Sequence, residues 1–226
     1  MSSAALNSNL DKKQISLHCK AHQLFGSNVM FAIKNTELIS VEDYLKSELT
    51  RDIKHELIDG CIYAMAGASA NHERISLNML RKFGNHLENK PCEPFGSDMK
   101  LNINSNFFYP DVMVDCNFDN STPYFTQTPI IIVEVLSKST RKTDTTLKLL
   151  SYINIASLKE YVLIEQDIVD IQVLRRSEGW ITKHYYLGDE VTFEAIGLTL
   201  SVADIYDRVQ NDDMMEFMTN KAGLPV

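Results

Sequence analysis

The sequence predicts an α/β fold built on a mixed sheet, and three stretches lead there. Glu56 to Met65 is two short apolar runs around Asp59-Gly60. That pair marks a tight hairpin, because both central residues of such a turn need positive φ. From Asn71 to Leu87, residues His72, Ile75, Met79, Leu80, Phe83 and Leu87 recur at helical spacing and define one face. Ile130 to Leu136 is apolar except at Glu134, the pattern of a central strand covered on both sides. Helix, several strands, helix, strand and a strand-rich C-terminal appendix follow one another, which is an α/β order.

Taken along the chain, residues 1–38 are polar and aperiodic and are expected to form a poorly ordered N-terminal arm. Met30 inside it is a second candidate start. The folded domain is expected over residues 39–209 and a frayed tail over 210–226. Ser40-Val41-Glu42-Asp43 has the cap and the acidic third residue of a helix N-terminus. Gly67 to Asn71 reads as a turn into the long helix. Met99, Leu101 and Ile103 alternate as a strand, and Phe107 to Cys116 reads as the next. A polar loop, Asn117 to Thr128, leads to the apolar strand. A helix over Thr143 to Ile155, a strand over Tyr161 to Glu165, two meander strands (Asp170 to Arg175, Ile181 to Leu187) and a short helix over Val202 to Val209 complete the pattern.

The 226 residues are 44% hydrophobic and 23% charged, ordinary values for one folded domain. No apolar run approaches the roughly 20 residues of a membrane span, and no leader-like apolar core opens the chain, so a cytoplasmic protein without a membrane partner is expected. The four cysteines form no zinc-type spacing and are expected as reduced thiols, with Cys61 and Cys116 inside strands. His18, Cys19 and His22 lie close in sequence but lack the spacing of a closed metal site. A net charge of −8 argues against a protein that coats nucleic acid. It leaves room for an acidic metal site beside a small basic patch.

The chemistry concentrates on Asp111 and Glu134. Each sits in an apolar strand, and the two strands are consecutive. A buried carboxylate needs a cation or strong donors. For Asp111 a salt bridge or a solvated strand face explains the residue equally well. For Glu134 the flanking apolar residues leave little sign of a solvated face. Two carboxylates and water suit Mg²⁺.

The run Glu56-Leu57-Ile58-Asp59-Gly60-Cys61-Ile62-Tyr63-Ala64-Met65-Ala66-Gly67 resembles a hallmark of the Uma family of putative restriction endonucleases. So do His72, Pro110-Asp111-Val112, Val133-Glu134-Val135-Leu136-Ser137, Ser139-Thr140, Asp144, Lys148, Tyr152 and Glu160-Tyr161, in that order, over about Ile39 to Tyr206. The resemblance implies a restriction endonuclease-like αβββαβ core of the PD-(D/E)XK superfamily. It implies Asp111, Glu134 and Val135 as metal ligands, with Mg²⁺ as cofactor and Mn²⁺ as a substitute. It also implies a catalytic lysine. Leu136 holds the usual place of that lysine, so Lys148 on the following helix is the candidate. Asp144, Lys148 and Tyr152 share a helix face, and a surface Asp–Lys pair is the other explanation of the trio. Glu56 is either an auxiliary catalytic carboxylate or an exposed strand-end residue. His72 is either a structural histidine or a catalytic one. Lys138, Arg141 and Lys142 form either a phosphate-contacting cluster or a solvated loop; the family usually has proline in place of Lys138.

The expected function is a Mg²⁺-dependent endonuclease hydrolysing DNA, working as a homodimer because two strands require two sites. Ile181, Leu187, Val191 and Ile205 are apolar residues that either cover the core or face a partner. The alternative is a catalytically inactive nuclease-fold module that binds protein or nucleic acid.

Overall fold

The structure, a computed structural model, describes residues 38–138 and 141–221. The expected arm before Leu38, with Met30, His18, Cys19 and His22, lies outside the described residues. Two compact units emerge: residues 38–67 with 102–108, and residues 68–101 with 109–138 and 141–221.

The first unit opens with α1 (Val41–Glu48). Its cap is Ser40, whose Oγ accepts the Asp43 N–H at 3.1 Å. Tyr44 is buried, and its hydroxyl donates to the His55 carbonyl at 2.6 Å. The hairpin follows as β1 (His55–Ile58) and β2 (Cys61–Ala64), with Asp59 at φ 49° and Gly60 at φ 77° in the turn. β1 also pairs with β5 (Asn106–Phe108) through Leu57 and Phe107.

The second unit is built on α2 (Ala70–Leu87), capped by Ser69, and a six-stranded mixed sheet. Its strands are β3 (Glu93–Gly96), β6 (Val112–Asp115), β8 (Pro129–Leu136), β9 (Glu160–Glu165), β10 (Ile171–Arg175) and β11 (Thr182–Tyr185), in the order β11-β10-β9-β8-β6-β3. β8 is buried along its whole length, antiparallel to β6 and parallel to β9. Ile75, Met79, Phe83 and Leu87 of α2 join Ile131, Val133, Val135, Val162 and Ile164 in one apolar cluster. Alternation therefore puts Ile132, Glu134 and Leu136 on the opposite face of β8, beside Tyr161, Leu163 and Glu165 of β9.

The remaining elements support this sheet. Within the second unit, Lys100 and Leu101 of β4 (Lys100–Ile103) pair with β7 (Phe125–Thr126). The hairpin of β12 (Glu190–Phe193) and β13 (Leu198–Ser201), with α5 (Val202–Ile205), adds Val191, Phe193, Val202 and Ile205 to the apolar cluster. Arg175 ties this appendix to the sheet: it donates to Glu160 Oε1 at 3.0 Å and to the Thr192 carbonyl at 2.6 Å.

Three expectations change, and one strand, β3, was not foreseen. Phe107 to Cys116 is not one strand: the chain breaks at Tyr109–Asp111, where Pro110 has no N–H to give a ladder, and β5 and β6 belong to different units. β3 was not legible, because Pro94 and Gly96 are poor strand formers that only an edge position tolerates. The tail expected to fray contains α6 (Asp212–Lys221), anchored by buried Met214 and by the Val169 N–H donated to Asp213 at 2.7 Å. Cys92 and Cys116 are joined in a disulfide next to the β3–β6 ladder, and among the described residues no cysteine is a free thiol. Spacing in sequence carries no information about that cross-strand neighbourhood. Val191 and Ile205 cover the core, while Ile181 is 69% exposed. No helix among the described residues is long and apolar enough to cross a membrane.

Candidate active site

The register of β6 and β8 builds the site. Val112 pairs with Val133, so the next step of the antiparallel ladder sets Asp111 opposite Glu134. Asp111 lies just before β6, where no further ladder bond forms. Its Oδ2 instead accepts the Val135 N–H at 2.7 Å and lies 3.2 Å from His72 Nε2. Oδ1 of Asp111 has no hydrogen-bond partner among the described residues.

Glu134 is only 3% exposed. Lys148 Nζ and the Tyr152 hydroxyl both donate to its Oε1, at 3.2 and 3.0 Å. Lys148 Nζ is also 3.3 Å from Asp144 Oδ1. Neither Asp144 nor Lys148 is solvated, at 2% and 6% exposure, so the surface-pair explanation of the trio does not hold. The helix that carries them differs from the regular one expected. It runs as α3 (Arg141–Thr143), a π-helical turn (Asp144–Lys148) and α4 (Leu149–Tyr152). π-turns concentrate at functional positions because they rotate a side chain out of the regular helical row. The Tyr161 hydroxyl donates to the Asp144 carbonyl at 3.0 Å and holds this turn to β9. Tyr152 and Tyr161 meet edge to face at 5.4 Å.

The electrostatics follow. Among the described residues the carboxylates of Glu134 and Asp144 face the ammonium of Lys148, and that of Asp111 faces His72. Burial, then the charges of Glu134 and Asp144, push the Tyr161 phenol well above its usual range, so it stays a donor. Burial alone would lower the His72 imidazole, but the hydrogen bond and charge of Asp111 outweigh it and raise it. His72 is thus a hydrogen-bonded partner of Asp111.

The donor set fits a hard divalent cation. The available groups are oxygens, and excess negative charge is present. Among the described residues no group of three or more His, Cys, Asp or Glu side chains forms a metal cage. A closed zinc-type site is therefore absent there, whereas Mg²⁺ needs few protein ligands and keeps its waters.

Leu136 is fully buried and carries no charge into the site. Glu56 lies in β1 of the first unit, opposite Tyr63, and is 2% exposed, so it is not an exposed strand-end carboxylate. Asp144 was under-weighted by sequence reasoning, because an i, i+4 acid–lysine pair looks the same whether solvated or buried.

Comparison with known proteins identifies the family and the fold. Residues 41–203 match the model of the Uma2 family, described as a putative restriction endonuclease. Two uncharacterised Synechocystis proteins are similar. One, slr1290, is 36% identical over 173 residues, 74% of this chain and 91% of its own. The other, sll1609, is 37% identical over 142 residues, 61% of this chain and 80% of its own. The crystal structure of a putative nuclease from Anabaena variabilis superposes with a TM-score of 0.66 at 17% identity, covering 76% of this chain and 99% of that one. The fold is that of this nuclease, restriction endonuclease-like with a mixed sheet, and the chain belongs to the Uma2 family of putative restriction endonucleases.

Proposed function

We propose that this protein is a Mg²⁺-dependent endonuclease that hydrolyses DNA phosphodiester bonds, with Asp111 and Glu134 as metal ligands and Lys148 assisting. The observation that carries this is the buried Lys148 ammonium 3.2 Å from Glu134 Oε1, reached from the helix after β8. It supplies, from another element, the positive charge that Leu136 cannot. The Val135 N–H points to Asp111, and in a strand the carbonyl of the same residue points to the same side. The Val135 carbonyl is thus the third ligand of this reading. A divalent ion there, Mg²⁺ or Mn²⁺, would lower the pKa of a bound water and offset charge on the phosphate.

The chain's own groups then have distinct work. Tyr152 and Lys148 hold Glu134 in one orientation through Oε1. His72 and the Val135 N–H do the same for Asp111 through Oδ2. Lys148 would put its positive charge beside the place where a water or a phosphate oxygen gathers charge. Incubating supercoiled plasmid with the protein and Mg²⁺ tests this. Nicking or linearisation by wild type, absent in Glu134→Gln at equal protein, is expected. Cutting by both proteins at the same rate would refute the assignment.

A second reading rests on Leu136 and on the bonds that tie Lys148 to both Glu134 and Asp144: a nuclease fold kept as a binding module. It predicts DNA or protein binding with no cutting under any divalent metal. The catalytic reading includes a cytoplasmic place and a homodimer. β11 is the outer strand of its sheet, and Ile181 and Tyr186 flank it at 69% and 52% exposure. Analytical ultracentrifugation at tens of micromolar should show a dimer; a monomer would leave nicking of single strands.

A further inference from the structure

The acidic site raises a problem that the proposed reaction does not solve. Asp111, Glu134 and Asp144 outnumber Lys148, and the whole chain carries −8. A DNA strand needs a local cation to approach such a site, because its affinity comes from phosphates meeting Lys and Arg.

Arg141 stands in the right place. It opens α3, the next helix after β8, the strand that carries Glu134. Its guanidinium bonds to the carboxylate of Glu165, the last residue of β9. Glu165 pairs with Leu136 in the parallel ladder, two residues beyond Glu134 on the same sheet face. That step is roughly 7 Å along the strand. The partners differ sharply in exposure: the Glu165 side chain is 6% exposed and that of Arg141 46%. Here a buried acid holds one edge of a guanidinium whose other donors make no bond among the described residues. An arginine offers five donors in a rigid fork, so one edge can stay on a carboxylate while another takes a phosphate.

We propose that Arg141 binds a DNA backbone phosphate next to the one being cut, with Glu165 as the positioning residue that aims its guanidinium. This rests on the nuclease reading above and adds a substrate contact to it. Burial raises the Glu165 carboxyl, and the charge of Arg141 opposes that rise. Removing Arg141 alone would leave a buried acid unpaired, so the informative variant removes both charges.

The experiment measures binding of a short fluorescent duplex across a salt series. The full chain with Glu134→Gln is the parent, so that bound DNA stays whole. Arg141→Ala/Glu165→Gln in that parent should bind on the order of tenfold more weakly at low salt. Its slope of log affinity against log salt should be about one unit shallower. Glu165→Gln alone should keep the parent slope. Arg141→Lys, which keeps the charge and loses the fork, should also keep the slope while weakening binding. A double variant with the parent's slope and affinity would overturn the Arg141 assignment and leave the nuclease reading standing. No salt-dependent binding by the parent would overturn both.

Discussion

Glu134 shows how much one residue can decide. A carboxylate inside an apolar strand is tolerated only with donors, and Lys148 and Tyr152 supply two on a single oxygen. Lys148 in turn stands between Glu134 and Asp144, so its removal leaves two buried acids facing each other. Lys148→Met, close in volume, is therefore expected to lower stability by about 3 kcal/mol or more in urea unfolding. It should also lower plasmid cleavage on the order of 100-fold. Unchanged unfolding would mean that the ammonium is not needed to hold the acids. The burial of Glu134 with a partner was legible from its apolar neighbours, whereas attention to Asp111 and Lys148 came from the family resemblance. The place of Asp144 was not legible, because its burial depends on a helix wound differently from the regular pattern.

At the level of elements, local rules worked where local chemistry rules. The Asp59-Gly60 turn has the two positive φ values its sequence demands, 49° and 77°. A Cβ added at Gly60 would sit 2.9 Å from Leu38 Cδ2 as well as in the left-handed region. Gly60→Ala is expected to cost about 1–2 kcal/mol in thermal or urea unfolding. An unchanged midpoint would contradict the turn assignment. The apolar run of β8 likewise predicts its central position. Local rules failed where long-range pairing decides. Pro110 and Asp111 split a mostly apolar stretch between two sheets. Pro94 and Gly96 form an edge strand only because β6 is there to pair with. The π-turn at Asp144–Lys148 follows from no propensity, and the Tyr161 hydroxyl that holds its first carbonyl comes from a strand beyond it.

At the scale of the whole molecule, the six-stranded sheet separates two tasks. One face, with α2, β12, β13 and α5, forms the apolar cluster. The other places Glu134 and Glu165 beside the helix that brings Lys148 and Arg141. Binary patterning announced the first face, since Ile131, Val133 and Val135 alternate with the rest of β8. The second was announced only by the single charge that breaks the run. Metal binding by the second face is the central claim, and calorimetric titration of Mg²⁺ or Mn²⁺ into wild type and Glu134→Gln tests it most directly. Wild type should bind the ion, and Glu134→Gln, melting at a similar temperature, should bind it about tenfold more weakly or not at all. Equal binding by the two proteins, or no binding by wild type at millimolar metal, would contradict it.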